Sequence, residues 1–349
     1  MMASEPNDRS AVRRRIDLDG TWTFVTDPNG DGGDAGWHEP DARWPDRTRT
    51  VDVPHAWQEL DALREYTGVA WYRHTVDVPA DALDSPGASV GRDALLRFGA
   101  VDYEATVWVN GREVGANRGG FLPFEVAVTD ALEPGENTVV VRVLDPADLA
   151  EVPHGKQGDP WYTRVSGIWG SVALETRPET FIADLKATPD LDDDSVTVDV
   201  QVDGVGDADP GDSLTAAVGV EREGETVAST TCAFDGVDDP VGVGSGVVDA
   251  GDAGGTCTLS IPDAEYWTPE NPALYDVTAQ LRAGDEVVDR DGDYFGMRSV
   301  STDDERLYLN GEPLYVRGAL DQAYYPDTLY RPFEADRFGE EYANLFEYE

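Results

Sequence analysis

The sequence predicts an all-β protein made of two antiparallel sandwiches, and three observations predict it. Short runs rich in β-branched and aromatic residues alternate in hydrophobicity with a period of two. Clusters of Gly, Asn, Asp and Pro separate these runs at short intervals. No long amphipathic helical pattern interrupts the series.

Taken in order, residues 1 to 15 are polar and are expected to be disordered and unpaired. From Ile16 the strand-like runs are Thr21–Val25, Thr50–Val53, Ala70–Val78, Ala94–Phe98, Ala105–Val109, Phe124–Val128, Asn137–Leu144 and Gly170–Glu175. Their number and spacing suit a two-sheet sandwich of jelly-roll size over residues 16 to 178. A second block, 179 to 294, offers Val196–Val202, Leu214–Glu221, Thr226–Thr231, Thr256–Ile261 and Leu274–Arg282. Asp- and Gly-rich turns divide it, the longest from Asp235 to Gly255, and its size is that of a seven-strand immunoglobulin-like sandwich. The acidic turns at Asp190–Asp194 and Gly204–Asp212 lack the ligand spacing of a calcium loop and read as solvated turns. A last segment, 295 to 349, opens with a hairpin around Asn310-Gly311. A buried strand is expected from Pro313 to Val316. It delivers a polar and aromatic cluster, Asp321, Gln322, Tyr324 and Tyr325, in the manner of the first strand of a further domain.

Charge narrows the function. The 349 residues carry a formal net charge of -44 with a pI of about 4.1, and lysine appears only at Lys156 and Lys186. A nucleic-acid partner is excluded by the repulsion that a polyanion would meet. The acidic excess reads either as a binding surface for cations or basic partners or as a surface kept hydrated in concentrated salt, where a Debye length of about 3 Å at 1 M screens the self-repulsion; the carboxylates are spread over every segment rather than clustered, which favours the second. No run is long and apolar enough to span a bilayer. Arg13-Arg14-Arg15 leads into Ile-Asp-Leu-Asp-Gly and not into a hydrophobic leader core, so the expected location is cytoplasmic. That setting favours two reduced thiols at Cys232 and Cys257 over a disulfide.

Two loops stand out. Val51–Glu59 with Tyr66–Arg73 places His55 and Trp57 on a rim folded over the first sandwich; the alternative is an edge that touches a sugar. Sugars stack their C–H faces on aromatic rings while their hydroxyls need hydrogen-bond partners. The loop from Val152 to Trp169 mixes His, Lys, Gln, Asp, Trp, Tyr and Arg, and a loop so long and mixed is costly to order without a contact to make. Asp159 and Trp161 are its candidate ligand-facing residues.

Eight motifs in order carry a family resemblance. They are Leu18-Asp-Gly-Thr-Trp22, Val53-Pro-His-Ala-Trp-Gln58, Gly68-Val-Ala-Trp-Tyr-Arg73, Val109-Asn-Gly-Arg-Glu-Val-Gly115, the run Gly120–Asp130, the run Ser166–Glu175, Phe295-Gly-Met-Arg298 and the run Leu309–Gly318. Together they resemble family 2 glycoside hydrolases, the β-galactosidase, β-glucuronidase and β-mannosidase group. The resemblance implies a jelly-roll, galactose-binding-like sandwich, then an immunoglobulin-like sandwich, then a (β/α)₈ barrel that bears the active site. Enzymes of this kind retain configuration with two carboxylates about 5–5.5 Å apart. In the family both are glutamates late in the barrel, beyond Glu349, so no catalytic residue is assigned in this chain. Asp321, Gln322, Tyr324 and Tyr325 match the position where the first barrel strand meets the sugar. The match fades after Tyr330.

The expectation is therefore the N-terminal part of a retaining β-glycosidase, inactive alone, with a β-glycoside as ligand and a separate catalytic-barrel chain as a candidate partner. A stand-alone carbohydrate-binding or scaffolding module is the alternative. No cofactor is called for; the family often carries bound cations near the pocket, but no ligand set for one is legible.

Overall fold

A computed structural model describes residues 13–83, 92–150, 152–158, 161–205, 214–234, 253–303, 305–318, 320, 322, 324, 325 and 328–330. The chain forms two compact units. The first contains β1 (Arg14–Asp17), β2 (Gly20–Asp27), β3 (Arg49–Val53), β4 (Gly68–Val78), β5 (Arg92–Phe98), β6 (Glu104–Val109), β7 (Arg112–Arg118), β8 (Phe124–Ala127), β9 (Gly135–Asp145) and β10 (Val172–Pro178). A six-stranded sheet in the order β3-β2-β4-β9-β6-β7 faces a four-stranded sheet in the order β1-β10-β5-β8. Trp22, Phe24, Tyr72, Leu96, Phe98, Val107, Val141 and Leu174 fill the space between them, each no more than 1% exposed. Alternation drives this arrangement: along β6 every second side chain is buried. The β6–β7 turn is Asn110-Gly111 with φ of 52° and 82°, the left-handed pair that a two-residue hairpin needs. Asn110 Oδ1 also accepts the Thr138 backbone N–H at 2.9 Å, which ties the turn to β9.

The second unit contains β11 (Phe181–Asp190), β12 (Ser195–Asp203), β13 (Leu214–Arg222), β14 (Glu225–Ala233), β15 (Ala253–Ser260), β16 (Tyr275–Ala283) and β17 (Glu286–Phe295). They form the sheets β11-β12-β15 and β14-β13-β16-β17 around a core of Val198, Val200, Val218, Val277, Leu281 and Met297. This is the seven-strand sandwich the sequence suggested. Strand β1 starts at Arg14, ahead of the start expected at Ile16. Among the described residues no helix is long and apolar enough to cross a membrane.

Two expectations are corrected. Cys232 and Cys257 form a disulfide, with Cα atoms 5.4 Å apart, instead of two reduced thiols. The physical reason lies in the topology: β14 and β15 are edge strands of opposite sheets, and they face each other where the sandwich closes. A disulfide is at home under oxidising conditions, so it also weighs against the cytoplasmic expectation. The second correction concerns Pro313–Val316. The expected hairpin is present, joining β19 (Leu307–Leu309) to β20 (Glu312–Leu314) beside β18 (Val300–Thr302). The strand is not buried, however: Tyr315 is 84% and Val316 62% exposed, because no described element covers that face. Asp159, Asp321, most of the turn from Asp235 to Gly255 and the tail from Arg331 lie outside the described residues.

Candidate functional site

The polar interior of the first unit gathers under the loop that follows β9. Strand β9 ends in Asp145, buried at 2% exposure. Its Oδ1 accepts from Arg164 Nη2, which also donates to the Pro146 carbonyl at 2.6 Å. Its Oδ2 accepts from Ser166 Oγ at 2.6 Å. Ser166 is itself gripped by Gln58: Gln58 Nε2 donates to Ser166 Oγ at 2.6 Å, and the Ser166 N–H donates to Gln58 Oε1 at 3.0 Å. Burial pushes the Asp145 carboxyl up, and Ser166 and Arg164 hold it back down. The C-terminal end of the returning loop is thus fastened both to a strand end and to the 3-10 turn Trp57–Glu59.

A second buried carboxyl stands beside the first. Asp102 follows β5, and its backbone exchanges hydrogen bonds with Gly167, N–H to carbonyl in both directions, at 3.0 and 2.9 Å. Gly167 has φ of +115°, and a Cβ there would strike the Tyr72 hydroxyl and the His55 carbonyl, so the loop can re-enter the sandwich only as glycine. Asp102 Oδ2 accepts from Gln157 Nε2 at 3.5 Å, while Gln157 Oε1 accepts the Val165 N–H at 2.6 Å. Burial and then the charge of Asp145 push the Asp102 carboxyl up to about 7, against the pull of Gln157 and Arg164.

Over this polar floor lies an aromatic rim. Tyr324 stacks on Tyr162 with centroids 4.6 Å apart and donates its hydroxyl to the Thr163 carbonyl. Tyr330 meets Tyr324 edge-on at 5.2 Å, Trp169 at 5.5 Å and Phe121 at 6.0 Å. Trp169 Nε1 donates to the Gly120 carbonyl at 2.8 Å. Leu329 is buried against Ala56 and Val165 and pairs with Tyr325 through backbone hydrogen bonds. Burial raises the Tyr324 phenol to about 12, so the ring stays neutral. Trp161 projects from the rim, 66% exposed, with Lys156 Nζ 5.7 Å from its ring centroid.

Of the six candidates read from the sequence, Tyr324 is on this rim and Tyr325 is buried beneath it through its pairing with Leu329. Trp161 projects from the same loop as Tyr162, and Gln322 is exposed. Asp159 and Asp321 fall outside the described residues. His55 and Trp57 belong to the core: His55 Nδ1 lies 3.0 Å from the Tyr72 hydroxyl, and Trp57 is fully buried. The sequence reading missed Gln58, Asp102, Asp145 and Ser166. A signal existed: Asp102 and Asp145 each stand at the end of an apolar strand run, where a charge is either solvated or paired. Chemically the arrangement offers stacking surfaces and hydrogen-bonding groups. Neither buried carboxyl is free to act on a bound molecule, since one is ion-paired and the other is enclosed.

Comparisons with known proteins agree with this architecture. Residues 16–178 match the family model for "Glycosyl hydrolases family 2, sugar binding domain", and residues 180–298 match that for "Glycosyl hydrolases family 2". A β-glucuronidase of Canis lupus familiaris is 28% identical, the match covering 88% of this chain and 48% of the relative. A β-galactosidase of Leuconostoc mesenteroides is also 28% identical, over 94% of this chain and 32% of its own. The solved structure of a β-glucuronidase from Ruminococcus gnavus superimposes with a TM-score of 0.75 at 23% identity, covering 99% of this chain and 55% of that one, which speaks for the fold alone. The chain thus spans about half the length, or less, of the relatives it matches.

Proposed function

The chain belongs to glycoside hydrolase family 2, and on that premise we propose that it is the sugar-contacting N-terminal portion of a retaining β-glycosidase, inactive in hydrolysis by itself. Catalysis belongs to a barrel that carries the opposed pair of carboxylates, whether in the same polypeptide or in a separate chain. The domain division belongs to the same reading: a sugar-binding jelly roll over 16–178, an immunoglobulin-like sandwich over 179–294, and the entry to a barrel from 295. The observation that carries the reading is the rim in which Tyr324, from the segment leading out of the hairpin, is stacked on Tyr162 of the long loop. A first-strand segment and a jelly-roll loop that share one surface can line one pocket.

Trp161 supplies a stacking face and Gln322 hydrogen-bonding capacity, with Asp159 and Asp321 as further contacts. Between the glycoside classes named in its relatives, the ammonium of Lys156 beside Trp161 favours an anionic sugar, a β-glucuronide over a β-galactoside. In multimolar KCl, the purified chain is expected to release no nitrophenol from p-nitrophenyl β-D-glucuronide or β-D-galactoside. Calorimetry is expected to show saturable binding of methyl β-D-glucuronide. Turnover by this chain would overturn the division of labour, and absence of binding by both methyl glycosides would overturn the sugar-contact reading.

A further inference from the structure

We infer that Leu329 is a positioning residue for the sugar edge: its side chain, sunk into a socket of the first sandwich, fixes Tyr324 against Tyr162 and holds the aromatic rim in one shape. The sugar half of this inference rests on the function proposed above; the anchoring of the segment does not.

The socket owes its shape to the sandwich. Its walls are the buried Ala56 and Val165. The Ala56 N–H donates to Glu59 Oε1 at 3.2 Å, and the Val165 N–H donates to Gln157 Oε1 at 2.6 Å. Between them the Trp57 N–H donates to the Ser166 carbonyl at 3.0 Å, which joins the two loops that carry the walls. None of these bonds involves Tyr324, Tyr325, Leu329 or Tyr330, so the segment docks on a support that stands without it.

Leu329 enters the socket at a cost to its backbone. Its φ is 58°, in the left-handed region that a bulky side chain seldom takes. Strain of this kind persists where the surrounding contacts over-determine it. Two contacts do so here. The side chain is 3% exposed in the socket, and the residue exchanges backbone hydrogen bonds with Tyr325 at 2.7 and 3.0 Å. Just outside that bridge stand Tyr324 and Tyr330, edge-on at 5.2 Å, the first stacked on Tyr162 and the second against Trp169. Both tyrosines are half-buried, and a half-buried ring pair contributes less than a fully enclosed aliphatic side chain. The rings give the rim its face, and Leu329 gives it its position.

The test is limited chymotryptic digestion of the full chain, with the initial rate of the cut after Tyr324 read by mass spectrometry. The cut after Tyr315, which is 84% exposed, is the reference that no variant at position 329 should change. Leu329→Met keeps an apolar side chain that fills the socket and is expected to be cut at the parent rate. Leu329→Gly empties the socket but takes the left-handed backbone freely, whereas Leu329→Ala empties it and keeps the strain. Relative to the reference, the cut after Tyr324 is expected to be at least about 10-fold faster in Leu329→Ala, with Leu329→Gly in between. A parent chain or a Leu329→Met chain cut as fast as Leu329→Ala would overturn the anchor. Equal rates in Leu329→Gly and Leu329→Ala would overturn the part given to the left-handed backbone. Cuts after the core residues Trp22 and Phe24 that rise in step would mean that the whole sandwich had opened, and would overturn the local role. Calorimetry with methyl β-D-glucuronide reads the sugar half: affinity is expected to fall at least about 3-fold in Leu329→Ala and to be kept in Leu329→Met. Equal affinity in all three proteins overturns the positioning of the sugar edge. No binding by the parent sinks the sugar-contact function and leaves the digestion to decide the anchor.

Discussion

The two sandwiches are built from the same alternating strands, yet they treat buried polar groups differently. In the first, two hydrogen-bonded groups lie inside at one end, Gln58 with Ser166 and Asp145, and Gln157 with Asp102. In the second, the buried polar residues among those described are Ser195 and Asp289. Asp289 accepts from the Ile182 N–H at 2.8 Å and from Arg13. The second sandwich closes instead with a covalent link between its edge strands. The difference separates roles. A buried polar network is hard to satisfy and fixes a shape when it is satisfied, so it belongs where a loop must be held in one geometry. The second sandwich reaches its closure with an apolar core and linked edge strands.

The contrast breaks most readily at Arg164. Removing it as Arg164→Ala leaves Asp145 with a buried charge that has lost its ion-pair partner and keeps the Ser166 hydrogen bond, at a cost of about 3–5 kcal/mol. Urea melts followed by tryptophan emission should show that loss in the first sandwich, which holds the described tryptophans other than Trp267. A loss below about 1 kcal/mol would mean that the network is ornamental.

The disulfide comes next. Reduction, or Cys232→Ser with Cys257→Ser, opens a loop with a sequence separation of 25 and should cost the second sandwich about 3 kcal/mol. Trp267 reports that unit. Its transition should move to lower urea while the transition of the other tryptophans stays in place. Joint movement of both transitions would show that the two sandwiches are not separate stability units.

The sequence made the fold legible wherever hydrophobic alternation was strong. Strands such as β4, β9 and β12 announce themselves because one face is continuously apolar. The strands it passed over have mixed faces: β7 reads Arg-Glu-Val-Gly-Ala-Asn-Arg, and β17 carries three aspartates and a glycine, so pairing with a neighbour and not burial defines them. The disulfide was illegible for a related reason. Nothing local says that β14 and β15 close the sandwich, and the compartment argument pointed the other way. At the candidate site, the exposed aromatic and mixed-polar loop could be read directly, but its support could not. Gln58 and Ser166 are 108 residues apart in sequence, and only the packed sandwich makes them partners. Pro313–Val316 shows the converse: an apolar run promises burial, but burial depends on what covers it.

Trp161 sharpens the comparison with the smallest expected effect on stability. A side chain 66% exposed contributes little to the core, so Trp161→Ala should change unfolding free energy by no more than about 0.5 kcal/mol. Its only described ring partner is the ammonium of Lys156 at 5.7 Å, an interaction worth about 0.5–1 kcal/mol at an exposed site and therefore no anchor for the loop. If the rim receives a sugar, the same substitution removes a stacking face worth about 1 kcal/mol, and calorimetry with methyl β-D-glucuronide should read a roughly 5-fold weaker affinity. The two measurements pull apart what the buried network cannot: Arg164→Ala lowers stability and binding together, because the loop itself is lost. Trp161→Ala should lower binding alone. Unchanged affinity would remove Trp161 from the sugar edge, and a large loss of stability would make it a packing residue whose exposure had been misread as availability.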